Sequence, residues 1–513
     1  MHSISFTPDD LTAGLPVIIL FASAMAVMVA DLFRPGGEKA RMSPLVHILS
    51  SAGAALAGLA IWATWDKPAG VYFDGALRVE MFSRVLSMMI VLGTLLTTLA
   101  AAGLLKRMGA EEGEFHALVL AAAGAMVLLA ESNSLIMVFL SLETFSIAAY
   151  VLTGFRRNDR RSVEGALKYL LLGGFASGFL LLGLGFIFGA TGELRLDRMA
   201  GRIIAGETEG LLLAGAGLVI IGLGFKVGAF PFHSWIPDAY QGAPTIVTGF
   251  MSVAVKTAGF AALTRIALVF FQATPEEVRS ALAWVLSAMA VATCIFGNVV
   301  AIVQSSPKRM LAYSGIAHTG YLLIGLVAAL SMREGRYFEG RGSAIVFYLL
   351  PYTLMTFGAF AVLEFLGEEE DEKDAFRSLR GLSQRRPLVA LAMLIFMISL
   401  AGIPPTAGFW AKLFLFREAV AAGRWDLALV GIITSIVAVY YYLRVVVAMY
   451  LQPAVSAGPV QSGGPTEAPD EATAWTSPAA IAACAAGIVL IGIVPDGFLA
   501  QSVMSIQKLL AQP

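Results

Sequence analysis

Residues 219–265 read VIIGLGFKVGAFPFHSWIPDAYQGAPTIVTGFMSVAVKTAGFAALTR. The stretch is apolar enough for a lipid bilayer, yet Lys226 and Lys256 stand inside its two apolar runs. A charged side chain at the centre of a membrane helix costs about 2.5–3.5 kcal/mol on insertion scales, so such residues face protein or a wet cavity. Gly222, Gly224, Gly228, Pro231, Pro237 and Pro244 mark where the first helix stops being regular. Irregular backbone at membrane depth is tolerated where it is packed in protein or lines a cavity, and broken helices mark transport sites.

The rest of the chain reads as scaffold for this stretch. Of 513 residues, 58% are hydrophobic and 14% charged. A soluble chain carries about 25% charge, so this is an all-α polytopic membrane protein. The net charge of −1 gives no basis for a nucleic-acid partner. Cys294 and Cys484 stand alone in apolar runs, and no Cys/His cluster suggests a metal or iron–sulfur site. The N-terminal MHSISFTPDDLTAG lacks the basic region of a cleaved signal peptide. No glycine-rich nucleotide loop is evident.

Fourteen runs are long enough to span, near 12–33, 43–64, 80–105, 115–131, 134–154, 163–190, 209–230, 244–271, 279–303, 309–331, 342–366, 387–416, 426–451 and 476–498. Lys and Arg cluster after the first, third, fifth, ninth and eleventh runs, as in RRNDRR at 156–161 and PKR at 307–309. The positive-inside rule then puts both termini outside, on the periplasmic face of a bacterial inner membrane. The segment GEEEDEKDAFRSLRGLSQRRP reads as a solvated cytoplasmic connection and QPAVSAGPVQSGGPTEAPDEATA as a mobile linker.

The seventh run breaks at GAFPFHSWIP and the twelfth at AGIPPTAG, with Lys226 before the first break and Lys412 after the second. An offset of five runs reverses direction, which predicts two inverted five-helix repeats. The expected organisation is a three-helix flank (1–110), a first repeat (111–271), a second repeat (272–451), a linker (452–475) and a last helix (476–513). The competing reading is that two Gly/Pro breaks coincide by chance.

Six charged residues fall deep in the runs: Glu143, Lys168, Lys226, Lys256, Lys412 and Arg444. Glu143 is expected to pair with Lys226 on a neighbouring helix. Desolvation moves a lysine pKa from about 10 toward neutrality, which suits lysines to proton transfer. Lys256, central and without a nearby carboxylate in sequence, is the natural relay. Lys168 has Glu164 at i−4, so a surface pair competes with a functional role. Arg444 reads as a structural anchor. His318 is placed to bridge Lys256 and Lys412, against a packing histidine as the alternative. His233 stands in the first break, as a water-lining or backbone-capping group. The row Glu143, Lys226, Lys256, His318, Lys412 is the chemistry of proton translocation, with no nucleophile–base pair for catalysis on a substrate.

GFKVGAFPFHSWIPDAYQGAPT followed by SVAVKTAGF resembles the antiporter-like membrane subunits of respiratory complex I and the related multisubunit cation/proton antiporters. GNVVAIVQSSPKRMLAYSGIAHTGYLLIGL and EGALKYLLLGGFASGFLLLGLGFIFGATG resemble most closely the subunit N branch of the NADH-quinone oxidoreductases. Lys412, where subunit M carries glutamate, and the lack of a long helix after the last run separate it from subunits M and L. The resemblance implies a fourteen-helix subunit with two inverted repeats and proton-path residues Glu143, Lys168, Lys226, Lys256 and Lys412. It implies no redox cofactor in this chain; NAD, FMN, iron–sulfur clusters and quinone belong to other subunits. Expected partners are neighbouring antiporter-like and small helical subunits and the lipid bilayer. The rival expectations are a Na⁺/H⁺ antiporter subunit, a passive assembly subunit and an enzyme acting on a lipid or quinone.

Overall fold

An apolar segment in lipid must satisfy its backbone hydrogen bonds internally, so helices dominate. The computed structural model describes residues 7–33, 44–108, 112–203, 209–331, 341–367, 376–453 and 476–510. In chain order the first helices are α1 Pro8–Leu32, α2 Pro44–Ala63 and α3 Met81–Met108. They are followed by α4 Glu112–Glu131, α5 Leu135–Thr153, α6 Arg160–Thr191, α7 Glu209–Val227, the short α8 Trp235–Gly242 and α9 Thr245–Phe270. Next are α10 Glu276–Ile302, α11 Pro307–Ser331, α12 Ser343–Leu366, α13 Pro387–Ala401, α14 Ala407–Ala421 and α15 Trp425–Tyr450. Then come α16 Thr476–Ile493 and α17 Asp496–Leu510.

Among the described residues, thirteen helices are long and apolar enough to cross a membrane. The twelfth expected run is the exception, because it is split into α13 and α14. Where one last helix was expected, two stand: α16 ends at Ile493, Pro495 stops it, and α17 follows. A small hairpin, β1 Gly70–Tyr72 and β2 Leu77–Val79, also escapes the run pattern because its strands are three residues each. Residues 368–375 of the acidic insertion and 454–475 of the linker lie outside the described residues.

Two faces are distinguishable. On one, Asp10 at the start of α1 accepts from the Phe73 N–H at 2.7 Å, and Asn133 donates to Gly75 O at 3.1 Å and to Asp197 at 3.0 Å. The hydrogen bonds from Arg195 and Asn133 outweigh burial and hold the Asp197 carboxyl below its ordinary range. The opposite face gathers the basic connections. There Lys308 donates to Ala243 O at 2.6 Å, Arg309 to Gln241 at 2.6 Å, and Arg157 pairs with Glu114 at 3.0 Å.

The inverted repeat has a local signature in two arginines. Arg265, near the end of α9, donates to Ala130 O at the C-terminus of α4 at 2.9 Å. Arg444, in α15, donates to Ile302 O and Gln304 O at the C-terminus of α10, at 3.1 and 2.5 Å. α9 caps carbonyls at the end of α4 and α15 those at the end of α10, on opposite faces of the molecule. Arg444 is thus the anchor expected of it. Arg265 also pairs at 2.7 Å with Glu80, which Arg78 holds at 2.7 Å from its other side.

The breaks are satisfied by side chains. Gly228 and Gly402 turn at φ +76° and +81°, conformations that favour glycine. Trp235 Nε1 donates to Phe225 O at 2.9 Å and Thr319 Oγ1 to Val227 O at 2.7 Å, so the cut end of α7 is capped from α8 and α11.

Candidate proton path

Lys226, Lys256, His318 and Lys412 are 4%, 3%, 1% and 5% exposed, so all four are removed from solvent. Each is held by groups that accept from an ammonium or exchange a proton with a ring nitrogen.

Lys226 occupies the last turn of α7. Its Nζ donates to Ser146 Oγ of α5 at 2.8 Å and lies 5.2–5.7 Å from the ring centres of Phe145, Tyr150 and Tyr169. Aromatic faces attract a cation, more so when it is desolvated. The expected ion pair with Glu143 is not formed. Glu143 is half-buried and accepts from Ser177 of α6. Ser146, three residues further along α5, takes the place of Glu143 on the ammonium because positions three apart on a helix point to neighbouring sectors.

The end of α7 that carries Lys226 packs against α9. A Cβ at Gly259 would lie 2.8 Å from Val227 Cγ1 and 3.7 Å from Lys226 Cγ, so the missing side chain lets the helices close. Lys256 is one turn earlier in α9, immediately after a π-helical turn at Met251–Val255. Such turns are frequent at functional sites. Lys256 Nζ donates to Gly315 O at 2.5 Å and to the Tyr352 hydroxyl at 3.0 Å. These partners come from α11 and α12, so Lys256 ties α9 to two later helices.

His318 continues the line. Its ring lies 5.1 Å from that of Tyr352. Nδ1 is 2.7 Å from the Tyr348 hydroxyl, and Nε2 is 3.1 Å from the Tyr442 hydroxyl, which Ser314 meets at 2.5 Å. A neutral imidazole accepts at one nitrogen and donates at the other. A histidine between two hydroxyls can therefore take a proton on one side and give it up on the other.

Lys412, in α14, closes the line. Its Nζ donates to Leu400 O and Ala401 O at 2.9 and 3.0 Å and to Ser435 Oγ at 2.8 Å. The two carbonyls are the cut end of α13, the negative end of its dipole, which favours a cation. A Cβ at Gly402 would sit 2.8 Å from Lys412 Cδ, so this glycine also makes room for the lysine stem. Tyr321, its ring 5.6 Å from that of His318 and 5.5 Å from Lys412 Nζ, stands between them.

The other sequence candidates fall outside this line. Lys168 is exposed and pairs with Glu164 at 2.8 Å and Asp238 at 2.7 Å, the surface arrangement that the i−4 spacing suggested. It stands beside a cleft on the basic face lined by Arg161, Glu164, Gly165, Asp238, Gln241 and Gly242. His233 is buried with Nδ1 unpartnered; it stacks on Phe230 and lies tilted against Phe296. Cys294 and Cys484 are buried free thiols.

Residues 132–438 match the model of the NADH:quinone oxidoreductase/Mrp antiporter transmembrane family. The chain is 41% identical over 509 residues to NADH-quinone oxidoreductase subunit N 1 of Herpetosiphon aurantiacus, covering 97% of both chains. The chain belongs to the NADH-quinone oxidoreductase subunit N family. A chain in respiratory complex I from Thermus thermophilus superimposes with a TM-score of 0.74 at 35% identity, over 94% of this chain and 98% of that one. A chain of the Mrp complex from Dietzia sp. shares the fold, with a TM-score of 0.81 at 21% identity over 98% of each.

In this subunit N family member the sequence reading did not anticipate the tyrosines. Tyr321, Tyr348, Tyr352 and Tyr442 are all buried. The signal was available in FYLLPYTLM and VYYYLR, since a buried tyrosine hydroxyl ordinarily finds a partner. Glu80, Glu131, Arg265 and Glu418 are buried as well, though each lies near a run end.

Proposed function

We propose that this chain moves protons across a membrane as an antiporter-like subunit of an NADH-oxidising, quinone-reducing respiratory complex. The observation that carries the reading is the buried row in which Lys256 bonds the Tyr352 hydroxyl, the Tyr352 ring packs against His318, and His318 stands between the Tyr348 and Tyr442 hydroxyls. The subunit N relatives supply the complex in which such a line has a driving force.

In this reading Lys226 is loaded from the basic face, where the cleft near Lys168 opens. A charge change in a neighbouring subunit acts on Glu143, which stands on α6's side of α5 and is linked to Lys226 through the turn carrying Ser146. Lys226 passes its proton to Lys256, and Tyr352 and His318 pass it to Lys412. At an effective dielectric of about 20, a unit charge 4 Å away is worth about 4 kcal/mol, enough to shift a lysine pKa by units. The repeats span 111–271 and 272–451, and 1–110 and 476–513 brace them.

The basic face is cytoplasmic and both termini are periplasmic in a bacterial inner membrane, which the clustering of Lys and Arg supports. NAD, FMN, iron–sulfur clusters and quinone are held by other subunits of the parent complex, and this chain carries none. The exposed Leu171, Phe175, Phe179 and Leu182 of α6 offer an apolar face to a neighbouring subunit or lipid. A second reading, a Na⁺/H⁺ antiporter subunit, draws on the fold shared with the Mrp chain.

Mild solubilisation, a native gel stained for NADH oxidation and detection of this chain decide between them. Co-migration with a large NADH-oxidising band is expected. Migration in a smaller assembly without that activity, with Na⁺-dependent proton exchange in vesicles, would favour the antiporter.

A further inference from the structure

We infer that Glu418 takes the proton from Lys412 and releases it on the face that carries the chain termini; this rests on the reading of Lys412 as a path residue. Both stand on α14, Glu418 six positions further toward that face. Six residues of helix rise about 9 Å, so the transfer we infer runs through intervening water.

Glu418 is 1% exposed. Its Oε1 accepts from Ser343 Oγ at 3.2 Å and from the Ala344 N–H at 3.3 Å, at the start of α12. Its Oε2 is buried without a hydrogen-bond partner. Glu80, also buried, is ion-paired, with an arginine 2.7 Å from each oxygen.

A capping role explains half of this arrangement. Gly342 precedes α12 and has no side chain with which to cap it, so Glu418 Oε1 does so from another helix. One neutral acceptor suffices for that, and a glutamine would provide it without burying a charge. The second oxygen, buried and unpartnered, is what capping leaves unexplained. An acid at this place has a use for it. Lys412 gives up one proton through water and becomes neutral, the Glu418 carboxylate becomes a carboxylic acid, and the acid then loses that proton to water on the terminal face. Lys412 is recharged from the His318 side. No electron moves, and no other bond changes.

The test is proton pumping per NADH oxidised, in inverted membrane vesicles holding the assembled complex. Glu418→Gln keeps the cap acceptor, so it is expected to assemble in normal amounts with pumping lowered to the level of Lys412→Met. Glu418→Asp is expected to recover part of the loss. Wild-type pumping in Glu418→Gln alongside a defect in Lys412→Met would overturn the inference and leave Glu418 as a cap. Wild-type pumping in Lys412→Met would instead remove the path reading, and this inference with it. Should Glu418→Gln fail to assemble, the wild-type complex can be treated with an apolar carbodiimide during turnover and mapped by mass spectrometry. An adduct on Glu418 is expected, and its absence would overturn the proposal.

Discussion

Lys256 donates to the Tyr352 hydroxyl at 3.0 Å. Lys256 belongs to α9 and Tyr352 to α12, and this is the bond of Lys256 whose partner can itself exchange a proton. Its removal leaves Gly315 O on the ammonium and leaves the ring to pack. A hydrogen bond to a charged group is worth about 1.5–3 kcal/mol, and 1.36 kcal/mol is about tenfold in rate. Tyr352→Phe should therefore assemble normally and slow proton pumping by about tenfold. Unchanged pumping rates in vesicles would show that protons do not use this contact.

Ser146, rather than Glu143, is the residue on Lys226. Ser146→Ala leaves the ammonium with aromatic faces alone. Its loss should impair pumping without changing the subunit composition of the complex. Glu143→Gln keeps an acceptor for Ser177, so any loss of pumping in that variant reports the carboxylate charge. The two are expected to be less than additive if both act through Lys226. Pumping assays on the double variant check this.

The paired arginines differ in what they leave behind. Arg265→Met strands Glu80, whose side chain has no exposure, with Arg78 alone. Removing one partner of a buried ion pair costs about 3–5 kcal/mol. Arg444→Met exposes two helix-end carbonyls at a half-buried site, and a lost hydrogen bond there costs about 1–3 kcal/mol. Steady-state amounts of the chain in membranes should fall more for Arg265→Met than for Arg444→Met. Equal amounts would mean that Glu80 finds other partners.

Much of this was legible in the sequence, for reasons visible in individual residues. The runs, the breaks and the buried lysines follow from hydropathy, Gly/Pro placement and the cost of a charge in lipid, which act locally. The contacts of Lys226 were not legible, because the choice between Glu143 and Ser146 depends on how α5 is rotated against α7. Tyr352, Tyr348 and Tyr442 read as ordinary apolar helix residues until α11, α12 and α15 bring them around His318. Glu418 and Arg265 looked like residues at run ends, since sequence gives depth along a helix but not what covers its end. The hairpin at 70–79 and α17 were missed because short strands and a half-polar helix carry no long apolar run.

The central claim is that Lys256 carries protons between the repeats. The most direct measurement is proton pumping per NADH oxidised by the assembled complex with Lys256→Met, compared with wild type in the same inverted vesicles. Methionine keeps an unbranched, flexible stem and removes the ionisable group. Normal assembly on the native gel and a fall in the pumping ratio are expected. Normal assembly with a wild-type pumping ratio would contradict it, and the buried lysines would then be holding helices together rather than moving protons.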